Sequence, residues 1–318
     1  MAMTLDGNRQ IVILAFAVVK SENADAWGLF YKNIARDFPT VTGVITDGAK
    51  GAVGLAVNHL KRDDGTPIVH GLCSRHIMEN ANNAKVHHPT TGDLVKVNAT
   101  DAHKDLAWRI IKGTSRSEVA RDLRNLRDQN LAFYTWLADE SRLPKCALLG
   151  HALNGFCKLG SSTGNAVEVA NNVVMEAREL PIIEAMLSIT KKMNQRQGTS
   201  LPQAISRVEG IAEDSAKVVT EWAAEMHRKT LNGAGSWFVF EEYDGESGVV
   251  TATVSLSDAG GNGYRVSVDQ NVTLACDCGY HLAWKLPCYH GMALIKKTWS
   301  TWFDGPLPLW DPRLFGCH

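Results

Sequence analysis

The sequence predicts a mixed α/β protein, α+β when the whole chain is counted, and three observations predict it. Short Val- and Ile-rich runs alternate with helical periodicity over residues 9–72, the pattern of a layered α/β core. Residues 74–139 then keep their apolar positions at helical spacing. After residue 234 the character changes to β-rich runs parted by Gly-containing turns.

Taken in order, Arg9–Val19 reads as a buried strand. Asn23 caps the helix that follows, whose Trp27, Phe30, Tyr31 and Ile34 recur on one face. Val41–Thr46 is a second strand and ends at Asp47-Gly48, Ala49–Leu60 a helix, and Ile68–Leu72 a third strand. The helical stretch from Ser74 to Asp139 has a polar break at His87–Gly92. Gly160–Gly164 is a Gly/Ser/Thr linker, Asn165–Arg178 a helix, and Pro181 opens the next one, where its fixed φ costs nothing. Pro202 begins another helical stretch that ends near Asn232-Gly233. Trp237–Tyr243, Val249–Leu256 and Tyr264–Val268 are strands, the last leading into a cysteine cluster. There is no internal repeat and no low-complexity tract.

Of the 318 residues, 45% are hydrophobic, enough for one large core or two modest ones, and the net charge is −1. That balance gives no global basic field for nucleic acid or an anionic membrane, so any such contact must be a local patch. Two basic runs qualify: Arg109, Lys112, Arg116, Arg121, Arg124 and Arg127, and then Lys191, Lys192 and Arg196. Either can equally be the solvated face of a helix. No run approaches the about 20 apolar residues that span a bilayer, so no membrane partner is expected. The seven cysteines are odd in number, and three crowd between 276 and 288. That pattern fits a reducing compartment and metal binding better than a disulfide framework.

Cys276-Asp-Cys278, nine residues, then Cys288-Tyr-His290 supplies three thiols and an imidazole. Structural zinc takes four tetrahedral sulfur and nitrogen ligands, and two pairs with one intervening residue can each clasp one side of the ion. The loop holding Trp284 and Pro287 lets the chain return, and Met292-Ala-Leu-Ile295 suits a short packing helix. Buried cysteines that merely lie close would not explain a histidine at the matching spacing. With all four bound, no position is left for water, so the expected Zn²⁺ is structural.

The Cys-x-Cys, nine residues, Cys-x-His pattern after a β-hairpin resembles a SWIM-type zinc finger. Upstream, an ordered set of stretches is similar to the transposases of Mutator-like elements. These are Leu5-Asp-Gly-Asn-Arg-Gln-Ile11, Leu14-Ala-Phe-Ala-Val-Val19, Ser21-Glu-Asn23 with Ala26-Trp27, and Ile45-Thr-Asp47-Gly48. Then come Cys73-x-x-His76 with Asn80, Asn165-Ala-Val-Glu168 with Asn171, and Arg178-x-Leu-Pro181. Order and approximate spacing match across nearly the whole chain.

The resemblance implies a ribonuclease-H-like core, incomplete here, with a helical insertion and a small C-terminal β-hairpin zinc finger. On it, residues 1–200 are a partial transposase core with the insertion at about 85–160, and 201–234 a helical linker. Residues 235–318 are then a β-rich segment carrying the finger at 276–290. It implies DNA transposition by a DDE triad that holds two Mg²⁺ or Mn²⁺ ions, a pair that can activate the attacking hydroxyl and stabilise the leaving oxygen. Asp47 is the counterpart of the second acid and Glu168 of the third, while Cys73 and His76 brace the site or contact DNA. It also implies transposon-end DNA as partner and the nucleus as location; a homo-oligomer is left open. The family's first Asp falls on a strand upstream of this chain's start, so no strand-transfer activity is expected of the chain as it stands. Other readings stay open. Asp47-Gly48 can be a plain turn, Glu168 a residue placed by the helix dipole, and Cys73 and His76 core residues. The whole can be a non-catalytic DNA-binding or transcription-regulating derivative, or a soluble metal-dependent nuclease with other acids.

Overall fold

A computed structural model describes residues 1–5, 9, 11–21, 23–47, 61–62, 64–156, 169, 172, 174–195, 220–244, 248–257, 263–269 and 271–302. The expected helix Ala49–Leu60, the linker Gly160–Gly164, Glu168, half of the expected helix 165–178 and residues 202–219 of the expected stretch from Pro202 to Asn232-Gly233 lie outside them, while Met175–Glu179 is a 3₁₀ helix. The fold is mixed α/β with several small sheets, and it divides into two compact units. Unit one holds Met1–Ala2 and Leu14–Glu168; unit two holds Met3–Ile13 and Val169–His318.

The chain opens with β1 (Ala2–Leu5) and β2 (Ile11–Ala15), which pair only with each other among the described strands. The expected strand 9–19 is therefore shorter, and residues 16–19 are irregular. In unit one, α1 (Ala24–Asp37) starts where Asn23 Oδ1 accepts the Ala26 N–H at 2.9 Å. Its Tyr31 and Ala35 are buried with Ile68, against Trp27, Val41 and Val44. β3 (Gly43–Thr46) and β4 (Val69–Leu72) form a parallel pair with Thr46 opposite Leu72. The Cys73 N–H extends that pairing by one bond, to Thr46 O at 2.7 Å.

Then follow α2 (Ser74–Ala81), α3 (Asp101–Lys112), α4 (Arg116–Gln129), α5 (Leu131–Leu137), α6 (Leu143–Cys146) and α7 (Leu148–Leu153). They enclose a core around Ile110, Ile111, Leu126, Phe133 and Leu137, each fully buried. The polar break at 87–92 is the turn of a hairpin instead of an interrupted helix. β5 (Lys85–His87) pairs antiparallel with β6 (Leu94–Lys96), and Gly92 takes the left-handed conformation at φ 75°.

In unit two, α8 (182–195) follows Pro181, and α9 (Glu221–Gly233) is capped by Thr220. The expected C-terminal hairpin is a four-stranded antiparallel sheet. β7 (Phe238–Asp244), β8 (Val249–Ser255), β9 (Tyr264–Asp269) and β10 (Leu274–Cys276) lie in chain order. Along β8 burial alternates, with Val250, Ala252 and Val254 facing the core. Two further helices are described in the unit, α10 (Tyr280–Trp284) and α11 (Tyr289–Trp302), the second burying Met292, Ala293, Leu294 and Ile295. No helix among the described residues is long and apolar enough to cross a membrane.

Candidate metal centre

Cys276 ends β10, held opposite Val266 of β9. The chain then turns: the Gly279 N–H donates to Cys276 O at 3.0 Å, and Gly279 sits at φ 64°, where a Cβ would be strained. That turn carries Cys278. The second pair is presented by the start of α11. Cys288 occupies the position before the first helical residue, and its carbonyl accepts the Met292 N–H at 2.9 Å. Its sulfur accepts the Gly291 N–H at 3.2 Å, the bond a capping Ser would make. His290 is the second residue of the helix. Gly291 has no side chain where a Cβ would come within 2.5 Å of Leu274 Cδ2, which lets the helix start press onto β10.

The His290 ring is fixed from two sides. Tyr264 stacks on it with centroids 4.0 Å apart, and Trp237 meets it edge-on at 4.3 Å. Its Nδ1 then stands 3.6 Å from Cys276 Sγ. All four residues are buried, and their ligand atoms lie within 4.8 Å of one another. For bonds of about 2.3 Å to sulfur and 2.05 Å to nitrogen, neighbouring ligands of a tetrahedral zinc lie about 3.6–3.8 Å apart. The cluster could hold a metal ion with little rearrangement.

The protonation chemistry agrees with that fit. The Cys288 thiol is drawn well below the usual thiol range, chiefly by hydrogen bonds from Cys276 and Cys278, helped by the Gly291 and His290 amides. The N-terminus of α11 adds its dipole. Cys276 moves the opposite way, raised by its hydrogen bonds to Cys278 and Cys288 and by burial. Three thiols packed this closely cannot all ionise without a cation among them, and a divalent ion removes that conflict. Burial pushes His281, inside the ligand loop, below the usual imidazole range, and raises the Tyr280 phenol to about 12. The loop is braced by stacking of Tyr280 on Trp284 and of Trp284 on Trp222, with the Arg9 guanidinium 5.4 and 5.7 Å from the two indoles.

The other predicted residues lie in unit one. Asp47 is exposed, one residue beyond β3, and its charge adds to burial in raising the Tyr31 phenol. Cys73 follows β4 directly, so the two parallel strands bring Asp47 and Cys73 to the same end of the sheet. Cys73 is 1% exposed, before the first residue of α2, and the next residue, Ser74, donates to Cys146 O at 3.0 Å. His76 is half-buried beside the Arg75 guanidinium, 3.3 Å from its Nε2. Glu168 lies outside the described residues. Among those described, only the Cys₃His group brings three or more such ligands together.

Much of the basic run is already engaged. Arg109 and Arg121 both reach the buried Asp122 carboxylate, at 3.3 and 3.2 Å, and Lys112 lies over the Trp108 ring. In the second run, Lys192 pairs with Glu176 at 3.0 Å. Sequence reasoning missed Trp237, Tyr264, Gly279 and Gly291, which orient the ligands; only the Gly next to His290 left a local signal. Comparison with protein-family models, with curated proteins and with solved structures finds no match to this chain.

Proposed function

We propose that this is a transposon-derived DNA-binding protein of the Mutator-like transposase type, whose C-terminal unit is organised by one structural Zn²⁺ in a SWIM-type finger. The observation that carries the zinc reading is the closed, buried set Cys276, Cys278, Cys288 and His290. Its sulfur-rich donors select zinc over Mg²⁺ or Ca²⁺, which prefer oxygen. Four protein ligands leave no coordination position for substrate, so the ion would fix the β10–α11 corner and take no part in a reaction. DNA binding rests on the ordered motif match, with the exposed Arg116 and Arg124 of α4 as candidate phosphate contacts.

Metal analysis of protein purified without added zinc is expected to give one ion per chain, and Cys288→Ala about a tenth of that or less. Zinc near zero in folded wild-type protein would sink the metal reading. Duplex carrying terminal-repeat sequence should bind, with affinity falling steeply as salt rises, by a slope of about −0.9 per phosphate contact. The catalytic reading is favoured by Asp47, which stands at the carboxyl end of a parallel strand pair, where α/β sheets place their ligands. Cleavage of that duplex with Mg²⁺ or Mn²⁺, lost in Asp47→Ala and Glu168→Gln, would replace binding with catalysis as the leading function. Loss of cleavage in neither variant would place the acids elsewhere.

A further inference from the structure

Among the described strands, β7 pairs with β8 alone, which makes it an edge of the C-terminal sheet. A seven-residue edge is a template for another strand unless something guards it. Beside it lies a cleft of about 430 Å³, walled by Trp237, Phe238 and Val239 on the sheet and by Ala293, Lys296 and Lys297 of α11. The Lys297 ammonium donates to the Val239 carbonyl at 3.1 Å, standing where the N–H of an added strand would stand. In an antiparallel ladder the amide and carbonyl of one residue point to the same side. Val239, Glu241 and Tyr243 therefore turn their main chain off the sheet.

The side chains alternate across the same strand. Val239 packs into the core under α11, so Phe238 and Phe240 stand on the opposite face, 48% and 38% exposed. Lys296 and Lys297 are exposed on the helix side. At the Phe238–Phe240 end of β7, an added strand would thus meet aromatic surface with one set of alternate residues and cations with the other.

We propose that the β7 edge is a docking site for an extended peptide in which apolar residues alternate with carboxylates, added as a fifth strand. Its main chain pairs with Val239, Glu241 and Tyr243, its apolar residues cover Phe238 and Phe240, and its carboxylates meet Lys296 and Lys297. Pairing exchanges partners without leaving a polar group bare: the incoming N–H takes the Val239 carbonyl, and the ammonium moves to a carboxylate. Single-stranded nucleic acid also favours aromatics with cations, and the cleft offers both, but only a peptide brings alternating N–H and C=O groups to the outward main chain of Val239, Glu241 and Tyr243.

The test is fluorescence anisotropy of a fluorescein-labelled peptide VDVEVDV with the zinc-loaded full chain. Saturable binding is expected, weakened about tenfold or more by Lys296→Glu with Lys297→Glu, since two charge-assisted contacts are reversed. Val239→Pro removes an outward N–H without touching the ladder, a change edge strands tolerate, and should abolish binding while zinc content stays constant. The scrambled peptide VVVDDEV should bind about tenfold more weakly, because one acid moves to the face that covers Phe238 and Phe240 and a valine takes its place toward the lysines. No binding to wild type, equal binding of the scrambled peptide, or displacement by oligothymidylate would each overturn the proposal. If Val239→Pro fails to fold, the surface lysine variants decide alone.

Discussion

Gly291 is the third residue of α11, and its amide feeds the Cys288 sulfur while its missing side chain admits Leu274. Two effects of Gly291→Ala oppose each other. Alanine in a helix is worth about 1 kcal/mol over glycine. Overpacking against a neighbour costs about 1–3 kcal/mol, and here both Leu274 methyls and its Cγ lie within 3.1 Å of the new Cβ. The steric term should win, with a net loss of about 1 kcal/mol in urea unfolding of the zinc-loaded protein. Leu274→Ala in the same chain should recover more than additivity allows, because it removes the atoms that clash. Equal losses with and without Leu274 would mean that α11 does not press on β10 there. The ligands themselves were legible in the sequence, since zinc chemistry restricts both donor type and spacing. The clamp on His290 was not, because Trp237 and Tyr264 reach it only through the turn before β7 and the register of β9.

Asn130 joins two helices and a loop. Its N–H closes α4 on Leu126 O at 2.8 Å, its side-chain oxygen caps α5 through the Phe133 N–H at 2.9 Å, and its amide donates to Val97 O at 3.0 Å. Val97 is 1% exposed, so its carbonyl has little access to replacement water. Asn130→Ala should cost about 2 kcal/mol, about half from the cap and half from the stranded carbonyl. Asn130→Asp keeps the cap and loses the donor, so its loss should fall between wild type and alanine in urea denaturation. An aspartate as damaging as alanine would show that the cap contributes nothing. Elements of this kind were legible where local rules agree: Asn23 and the spacing of Trp27, Tyr31 and Ile34 announced α1 within a residue. β5, β6 and β10 were invisible because each has three residues, too few to display a period of two. α10, with five residues between two ligands, has no room for a helical period either.

At the scale of the molecule, the chain builds separate cores. One, around Leu126, Phe133 and Leu137, lies wholly in unit one; another, around Val254, Val268 and Leu294, lies in unit two and includes Cys276, Cys278 and Cys288. The mixed class was readable because helix and strand periods occupy different stretches of sequence. The grouping of residues 3–13 with the C-terminal half was not, since no local pattern records that Arg9 lies against Trp222 and Trp284. This division gives zinc removal a local consequence. A structural zinc contributes about 10–16 kcal/mol in small finger peptides, comparable with the about 5–15 kcal/mol that stabilises a whole domain. Unit two should therefore lose its fold on chelation, whereas no residue of the unit-one core is a zinc ligand. Hydrogen exchange followed by mass spectrometry, with and without a chelator, reads the two separately. Peptides from β8, β9 and α11 should lose protection by about a hundredfold or more, the equivalent of 2.7 kcal/mol, while those from α3, α4 and α5 keep theirs. Loss in both units at once would mean that they unfold as one. Unchanged protection in β9 and α11 would mean that the cysteines are only core residues, and the zinc reading would fall with it.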